Sequence, residues 1–377
     1  MNASLNKKLG NVKWGDYKMG ELFQRVKTNK LPYKADELPN QPLGEYTLPC
    51  LTSSFNNQGL NYYAPREGAT ILQNVISIPS NSDVYRAYYQ PNDFTVLSDA
   101  YAIRWIFDDR ELSSRQYLFM VMCINKVTDL PVYSYKNKLG GWNVVKNKHI
   151  QLPQKRGEID FDFMESFIAE LEAERVAELS AYLTVSGLDN YELSNDEEDA
   201  LKNFQSLKWD TYNLEKLFGK STRGKRLKGD DRIAGTLPFV TAGEASEGIS
   251  AYISNEVEVF EKNTTTIDMF GSAKYRNYIY GGDDHIAVVH TENLPKYASI
   301  FVTTAIHKSS HNGQFDYGHN FYAKDADALY ISLPVNEAGN PDYDKMAIII
   351  SAIHKLVIKD VVAYSNRKIK ATKAVVK

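Results

Sequence analysis

Trp14-Gly-Asp-Tyr17, followed by Glu21-Leu22-Phe23, returns as Trp209-Asp-Thr-Tyr212, followed by Lys216-Leu217-Phe218. The separation is the same at every matched position of this stretch (209 − 14 = 195). Further matches follow in the same order along the chain: Pro49–Thr52 with Pro238–Thr241, Asn74 with Asn263, Tyr85-Arg86 with Tyr275-Arg276, Tyr133–Asn137 with Phe315–His319, Ile150–Pro153 with Ile331–Pro334, and Asp160 with Asp342. A repeat of this length indicates two domain-sized copies rather than a solenoid of short units.

The composition is that of a globular protein with two domains of ordinary size. The chain has 377 residues, of which 43% are hydrophobic and 24% are charged. Cys50 and Cys123 are too few for a disulfide framework, and we interpret both as buried free thiols. We find neither a signal peptide nor an apolar run long enough to cross a membrane, so we expect a cytoplasmic protein. The net charge of −3 argues against a free-standing nucleic-acid binder. It does not exclude DNA binding, because a local basic patch can contact DNA while the rest of the surface is acidic.

Each copy begins with a mixed α/β part and ends with a long helix. Short apolar runs between turn residues predict strands, for example at 69–72, 101–106, 264–267 and 285–289. Two stretches predict helices within these parts, Ser113–Asn125 and Lys296–Lys308. The fold class that follows is α+β, with two tandem mixed α/β domains.

The long helices are predicted from 160 to about 183 and from 343 to about 367, because apolar residues recur every three to five positions there. We expect them to pack as an antiparallel spacer that places the two globular parts at opposite ends. About 27 residues at ~1.5 Å per residue span roughly 40 Å. The alternative is that each helix is buried on its own domain.

The segment between the copies is acidic and polar, and we interpret it as a linker. Ser194 and Glu197 have the spacing of a capping box, which predicts a short helix inside it. The predicted boundaries are residues 1–157 for the first domain, 158–185 for the first helix, 186–207 for the linker, 208–340 for the second domain and 341–377 for the second helix.

This order of motifs resembles the DNA-specificity subunits of Type I and Type IIB restriction–modification systems. The residues that carry the resemblance are Trp209–Phe218, Gly224-Lys-Arg-Leu227, Leu237–Thr241 with Gly248-Ile249, Thr266–Gly271 with Tyr275, and Ile331-Ser-Leu-Pro334 before a helix. The first copy fits less well, because Val75–Ser80 stands where Thr266–Gly271 is expected. The resemblance implies two target-recognition domains separated by an antiparallel helical spacer.

The resemblance further implies a subunit that binds double-stranded DNA and docks methyltransferase subunits, which are fused to or joined by a restriction nuclease in some systems. This chain would hold no cofactor, and S-adenosylmethionine would be bound by the partner. A spacer of roughly 40 Å corresponds to about twelve base pairs, near one helical turn, so both domains could face one side of the duplex. Because the copies differ in their loops, we expect an asymmetric target in two parts.

Candidate DNA-binding residues are loop side chains that suit base edges or phosphates. In the first copy they are Ser54, Asn56, Asn57, Gln58, Arg86, Tyr135, Lys136 and Lys138. In the second copy they are Arg223, Lys225, Arg226, Lys274, Arg276, Lys308, Asn312, Gln314, Tyr317 and His319. Because Arg86 and Arg276 both follow a tyrosine, we interpret them as equivalent phosphate contacts.

Three other patterns invite chemistry that the sequence does not support. His307, His311, His319 and Asp316 have irregular spacing for zinc, so we predict no metal site. Asn340-Pro-Asp-Tyr343 lacks the second proline of the amino-methyltransferase motif and sits at a predicted helix start. Asp268-Met-Phe-Gly271 has no glycine-rich phosphate loop before it, so we interpret it as a buried turn.

These absences predict a non-catalytic subunit, with methylation and cleavage carried out by partners. Two rival hypotheses stay open from the sequence. One is an autonomous DNA methyltransferase or nuclease, which would modify DNA as a purified chain. The other is a non-enzymatic protein with two ligand-binding modules, to which the 25 tyrosines would contribute.

Overall fold

The computed structural model describes residues 3–375, with side chains up to residue 371. The chain divides into two compact units. The first runs to Leu179 and includes the described residues from Lys368 onward, and the second is Ser180–Arg367. Among the described residues, no helix combines the length and apolar character needed to cross a bilayer.

Within residues 3–185, the structure has five α-helices and ten strands. The helices are α1 (Ala3–Asn11), α2 (Met19–Leu22), α3 (Ser114–Thr128), α4 (Trp142–Val145) and α5 (Phe161–Val185). The strands are β1 (Lys13–Lys18), β2 (Phe23–Arg25), β3 (Tyr46–Leu51), β4 (Leu60–Pro65), β5 (Val75–Pro79), β6 (Tyr88–Gln90), β7 (Thr95–Val96), β8 (Ala100–Trp105), β9 (His149–Lys155) and β10 (Glu158–Ile159).

The same kinds of element form again from Asn195 onward. The helices are α6 (Asn195–Lys202), α7 (Leu214–Phe218), α8 (Lys296–Ser310), α9 (Ala323–Ala328) and α10 (Tyr343–Val375). The strands are β11 (Trp209–Asn213), β12 (Thr222–Arg223), β13 (Ala234–Val240), β14 (Ile249–Ile253), β15 (Val259–Phe260), β16 (Thr264–Asp268), β17 (Ala273–Arg276), β18 (Tyr280–Gly282), β19 (Ile286–Val289) and β20 (Tyr330–Pro334).

The sheets confirm the duplication that the sequence predicted. The order β2-β8-β5-β6 in the first copy corresponds to β12-β19-β16-β17 in the second, and β4-β3-β7 corresponds to β14-β13-β18. In both copies a single parallel pair, β3 with β7 or β13 with β18, joins otherwise antiparallel strands. Two β-rich regions, each followed by a long helix, therefore make up the predicted α+β fold.

The first matched stretch forms the strand that closes each copy. Trp14 lies opposite Pro153 in the β1–β9 pair, and Trp209 lies opposite Pro334 in the β11–β20 pair. The chain thus enters and leaves each globular part along the same two strands. The long helix then begins directly after the exit strand.

The long helices are as predicted at their starts and longer at their ends. Asp160 and Asp342 each accept a backbone N–H hydrogen bond from the residue three positions later, which caps the first turn of α5 or α10. Met164 and Met346 are fully buried at equivalent positions. Farther along α10, the predicted apolar stripe leaves the core, because Leu356 and Val357 are exposed.

The acidic segment before Trp209 contains more structure than a linker requires. The predicted capping box is present: Ser194 and Glu197 exchange hydrogen bonds at the start of α6. Ala200 is buried in the core of the second unit, as Leu5 of α1 is buried in the core of the first. The second repeat therefore starts with α6, as the first starts with α1.

Most of the predicted strands and helices are present. The stretch 69–72 is an exception, because it is a loop held by one bridge between Leu72 and Phe94. Its apolar residues cover a small satellite core instead of pairing along a strand. Helices α3 and α8 match the predicted helices and extend two or three residues beyond them.

Candidate nucleic-acid interface

Three predicted loops of the first unit lie side by side. The loop Asn56–Gly59 follows β3, and its Asn57 and Gln58 have positive φ values of 46° and 53°. The Tyr88 hydroxyl donates a hydrogen bond to the carbonyl of Phe55 (3.2 Å). The Tyr135 amide donates to Asp83 Oδ1 (2.8 Å), which ties the third loop to the second. The structure therefore brings the loops around residues 54–58, 83–88 and 133–138 together.

The polar groups of these loops are available to solvent. Asn56, Asn57 and Gln58 are exposed, and Ser54 is half-buried because its hydroxyl accepts a hydrogen bond from the Asn56 amide. Asn57 and Gln58 combine a left-handed backbone with exposed amide side chains, which an adenine edge could reach.

The turn at residues 133–138 presents an aromatic ring beside cations. Tyr135 is 57% exposed, and Lys138 Nζ lies 4.8 Å from the centre of its ring. Lys136 is also exposed. An exposed ring next to two lysines suits contact with a sugar-phosphate backbone or an unstacked base.

Arg86 is half-exposed but already paired. Its Nε donates to Asp129 Oδ2 (2.7 Å), and this hydrogen bond, with the attraction of the carboxylate, raises the pKa of Arg86. A phosphate would have to compete with Asp129 for the guanidinium.

The loops of the second unit are also joined to one another. Ser310 Oγ donates to the carbonyl of Gly271 (2.6 Å). Gly271 has φ of +82°, and a Cβ there would lie 2.1 Å from the Ser310 carbonyl oxygen, so only glycine allows this approach. Tyr317 is 85% exposed and packs edge-on against Phe270 at 5.1 Å. The turn that presents Tyr317 therefore rests on the turn at residues 268–271.

Arg276 is buried, in contrast to the predicted phosphate contact. Its Nε donates to Thr266 Oγ1 (2.9 Å), and its Nη1 donates to the Glu247 carbonyl (2.8 Å) and the Tyr278 hydroxyl (2.9 Å). The side chain is 1% exposed, and its hydrogen bond to the Glu247 carbonyl holds the loop at Ala245–Gly248 from the interior of the domain. Lys274 is mostly buried and bonded to Glu244 (3.1 Å).

The equivalence of Arg86 with Arg276 is wrong. Ile76 pairs with Tyr89 and Val75 with Gln90, whereas Thr265 pairs with Tyr275 and Thr264 with Arg276. Gln90 therefore occupies the place of Arg276, and its Nε2 donates to Ser77 Oγ (3.0 Å) and toward the Gln58 carbonyl (3.5 Å).

The tyrosine before each of these residues confirms the corrected register. Tyr89 and Tyr275 each donate a hydroxyl hydrogen bond to the side chain of an asparagine with positive φ, Asn74 or Asn263, at 2.9 Å. The match between Tyr85-Arg86 and Tyr275-Arg276 is therefore a coincidence of two residues. Sheet pairing, which the sequence does not display, decides the register.

A basic segment starts at the end of β12 in the second copy and just after β2 in the first. Arg223, Lys225 and Arg226 are exposed, while Gly224 is buried against Gly282. A Cβ on Gly224 would lie 1.7 Å from the Gly282 carbonyl oxygen, so the strand passes this point only as glycine. The chain therefore reaches Lys225 and Arg226 along a path that depends on Gly224.

Sequence reasoning missed the corresponding segment of the first copy. The Val26 amide donates to the Ala102 carbonyl of β8, in the position where Thr222 pairs with Val288 of β19. Lys27, Asn29 and Lys30 consequently stand where Arg223, Lys225 and Arg226 stand, and all three are exposed. The sequence obscured this equivalence because the residue types differ and the second copy has one more residue between Phe218 and Arg223 than the first has between Phe23 and Lys27.

The remaining predicted residues of the second copy lie after α8. Gln314 accepts from the Asn312 amide (2.8 Å), and both side chains donate to the Ser309 carbonyl, so this loop caps its own helix. His319 is exposed and its amide donates to Asp316 Oδ1 (2.9 Å). Lys308 is exposed on α8 and lines a groove beside Trp209 rather than the tyrosine turn.

The histidines considered for a metal are engaged otherwise. His307 Nδ1 accepts from the Ala273 amide (3.1 Å), and burial lowers the pKa of His307. Within residues 3–375, the group with metal-ligand spacing is Asp283, Asp284 and His285, whose ligand atoms lie within 4.8 Å of one another. Burial raises the pKa of Asp283.

Both cysteines are buried free thiols, as predicted. Burial raises the pKa of Cys50 and of Cys123 to about 12, so neither is a reactive thiolate at neutral pH.

The chain is similar to known proteins both in sequence and in fold. Residues 11–181 match the protein family described as Type I restriction modification DNA specificity domain. The chain is 24% identical over 241 residues to the Type II restriction enzyme BgcI specificity subunit S.BcgI of Heyndrickxia coagulans, an alignment that covers 63% of this chain and 66% of that protein. The fold is similar to the crystal structure of the Type I restriction–modification system S subunit from M. genitalium, with a TM-score of 0.59, 13% identity, and coverage of 97% of this chain and 94% of that chain.

The duplicated α+β domain with a long helix after each copy is the fold that this chain shares with the S subunit from M. genitalium. Residues 11–181 match the Type I DNA specificity domain, and the chain is similar to specificity subunits of restriction–modification systems in sequence and in fold. The resemblance inferred from its motifs is confirmed. The family match lies on the first copy, and the sheet topology carries the same fold into the second.

Proposed function

We propose that this chain reads an asymmetric, two-part DNA sequence for a restriction–modification complex and leaves methylation and cleavage to partner subunits. The observation that carries the proposal is one loop geometry with two sets of side chains. Asn57 and Gln58 share their positive-φ backbone with Ser246 and Glu247 of the second copy. Amides can pair with adenine, whereas a carboxylate accepts from cytosine, so the two loops suit different bases.

The contacts to phosphate would come from the basic segments after β2 and β12. Lys27 and Lys30 in the first copy, and Arg223 and Arg226 in the second, are exposed at equivalent places. Cations at matched positions would set the register of each domain on the duplex without reading its sequence. Arg276 and Lys274 would instead hold the reading loop in shape.

Partner subunits would dock on the long helices. On α10, Ile353, Leu356, Val357 and Val361 are 39–74% exposed although their spacing is that of a buried stripe. An apolar helix face that stays exposed in a folded chain is typical of a protein interface. We assign it to a methyltransferase subunit, which would bring the S-adenosylmethionine. Both a Type I and a Type IIB arrangement of partners fit this surface.

Expression of the chain with the methyltransferase of its own operon, followed by genome-wide mapping of methylated sites, tests the proposal. We expect a two-part motif with unlike halves, and no methylation by the purified chain alone. Replacing residues 54–58 by residues 243–247 should alter one half of the motif and leave the other unchanged. A single uninterrupted motif, or a swap that changes both halves, would contradict the assignment of one domain to each half.

A further inference from the structure

An exposed tyrosine stands at the tip of a closed turn in the first unit. The Ser134 amide donates to the Asn137 carbonyl (3.0 Å), and the Asn137 amide donates to Ser134 Oγ (3.1 Å). Tyr135 lies between these two residues and is 57% exposed. Its amide donates to Asp83 Oδ1 (2.8 Å), so the backbone of the turn is fixed while much of the ring is open to solvent.

The second unit repeats the hydrogen bonds of this turn. The Asp316 amide donates to the His319 carbonyl (3.1 Å), and the His319 amide donates to Asp316 Oδ1 (2.9 Å). Tyr317 stands at the tip and is 85% exposed. It follows the N-cap of α8 at the distance at which Tyr135 follows the N-cap of α3 (317 − 295 = 135 − 113 = 22). The two tyrosines are therefore structural equivalents.

The side chains beside the two rings differ between the copies. Lys136 and Lys138 of the first turn correspond to Gly318 and Asn320 of the second, so the copies do not share these cations. The loops proposed to read bases differ as well. Because the exposed ring is kept while its neighbours change, it suits a contact that does not depend on the base sequence.

The tyrosine turn of the second unit is joined through one residue to the loop proposed to read bases. Asp268 is 3% exposed, and its Oδ2 accepts from the Gly243 amide (3.3 Å) at the start of that loop. Its Oδ1 accepts from the amide of Phe270 (3.0 Å), the residue whose ring packs against Tyr317 at 5.1 Å. A single buried carboxylate therefore holds both the loop and the support of the exposed ring.

We propose that Tyr135 and Tyr317 each stack their ring on a base, at an opened base step in the half-site that their domain binds. This inference rests on the proposed function for the DNA ligand. Every base has a π face whatever its identity, so stacking suits a ring that two domains with unlike loops share. In an intact duplex the neighbouring base pairs cover these faces, so the contact requires that the step is unstacked. A tyrosine has few side-chain torsions to immobilise, and its fixed turn lowers the entropic cost further.

Removing the ring and the base in turn tests the contact. We would use the full chain in complex with the methyltransferase of its operon, and measure affinity for a duplex that carries the motif found by methylation mapping. Tyr135→Ala or Tyr317→Ala should each weaken binding roughly tenfold or more. Tyr135→Phe and Tyr317→Phe should bind as the unmodified chain does, because they keep the ring.

Duplexes with an abasic residue at each position in turn then locate the base. The effect of Tyr317→Ala should disappear at one position in one half of the motif, and that of Tyr135→Ala at one position in the other half. Replacing the located base by another base should leave the effect of the tyrosine variant unchanged. The dependence of affinity on salt concentration should also stay unchanged, because the ring neutralises no phosphate.

Two further variants separate stacking from general effects. Tyr317→Leu keeps apolar bulk beside Phe270 without a flat ring and should weaken binding as Tyr317→Ala does. Tyr330→Ala removes a tyrosine that is 58% exposed on β20, outside the two turns, and should leave affinity unchanged. Thermal unfolding of each variant identifies any that fails to fold.

The outcomes distinguish the inference from the function on which it rests. If the phenylalanine variants lose as much affinity as the alanine variants, the hydroxyl makes the contact and stacking is wrong. The inference is also wrong if the alanine variants bind normally, or if no abasic position removes their effect, although the unmodified complex binds the motif. If the unmodified complex does not bind the duplex, the proposed function fails together with the inference.

Discussion

The ion pair between Glu197 and Lys355 should decide whether the second repeat keeps its first helix in place. Glu197 is buried at the start of α6, where its Oε2 lies 2.8 Å from Lys355 Nζ on α10. Its Oε1 accepts from the Ser351 hydroxyl (2.6 Å). Burial alone would raise the pKa of Glu197, but the hydrogen bonds from Lys355, Ser351 and the Ser194 amide outweigh it and lower the pKa to about 2.

The size of the effect follows from the pKa. A fall from 4.5 to about 2 corresponds to about 3 kcal/mol of folding free energy. Lys355→Met removes the cation and leaves the buried carboxylate without a countercharge, which also costs about 3 kcal/mol or more. Adding Glu197→Gln to Lys355→Met removes the unpaired charge, so the double variant should recover part of the loss.

The pH dependence has a definite direction. Because the folded-state pKa lies below the unfolded one, the stabilisation is fully present above about pH 4.5 and is lost as the pH falls toward 2. Between pH 5 and pH 3 the intact chain should lose about 2 kcal/mol from this carboxyl, and Glu197→Gln should lose nothing from it.

Hydrogen exchange read by mass spectrometry measures this locally in α6 and α10. We expect faster exchange of the Asn195–Lys202 amides in Lys355→Met, while peptides of the first unit stay unchanged. Glu198→Gln is the matched control, because Glu198 is the exposed neighbour on the same helix turn. Equal exchange in Lys355→Met and the unmodified chain would refute the account of how α6 is held.

Three further outcomes are expected from the interface. Arg276→Gln, which introduces the residue found at this place in the first unit, should unfold at a higher temperature than Arg276→Ala. If Arg276→Gln reduced the dependence of DNA affinity on salt concentration, Arg276 would contact phosphate and the assignment would be wrong. Lys27→Gln and Lys30→Gln should each lower the slope of this salt dependence by about 1 in a binding titration against salt, with no change of motif. Gly224→Ala should weaken DNA binding and stability because its Cβ meets Gly282, whereas Gly229→Ala, with open space around it, should do neither.

Much of the fold could be predicted because its determinants are local. The capping residues Ser113, Ser194 and Asp342, and the apolar spacing after Asp160, each specify a helix within a few residues of chain. The closing strand pair was predictable because Trp14 and Trp209 repeat with their surroundings. The loop at 69–72 could not be predicted, because its apolar residues have the pattern of a strand. In the structure they form a single bridge, between Leu72 and Phe94.

The candidate site could be predicted only as a set of loops. The loops near residues 56, 86 and 135 meet because hydrogen bonds join residues that are 33 and 52 positions apart in the chain. No local sequence pattern encodes such contacts. The sequence predicted Arg276 as a phosphate contact and did not single out Lys27–Lys30. Sheet register buries Arg276 and places Lys27–Lys30 at the position of the basic segment of the second copy.

The sequence by itself determines the duplication, the two long helices and the unlike loops. Repeat spacing, helix periodicity and loop composition are properties of residues that are close in the chain. The burial of Arg276, the pairing of Glu197 with Lys355 and the exposure of Tyr135 and Tyr317 on matched turns arise only in three dimensions. They depend on which groups lose water together and which distant groups then become their partners. Desolvation and pairing act through space, so two copies with similar motifs can place the same residue type in a core in one case and at a surface in the other.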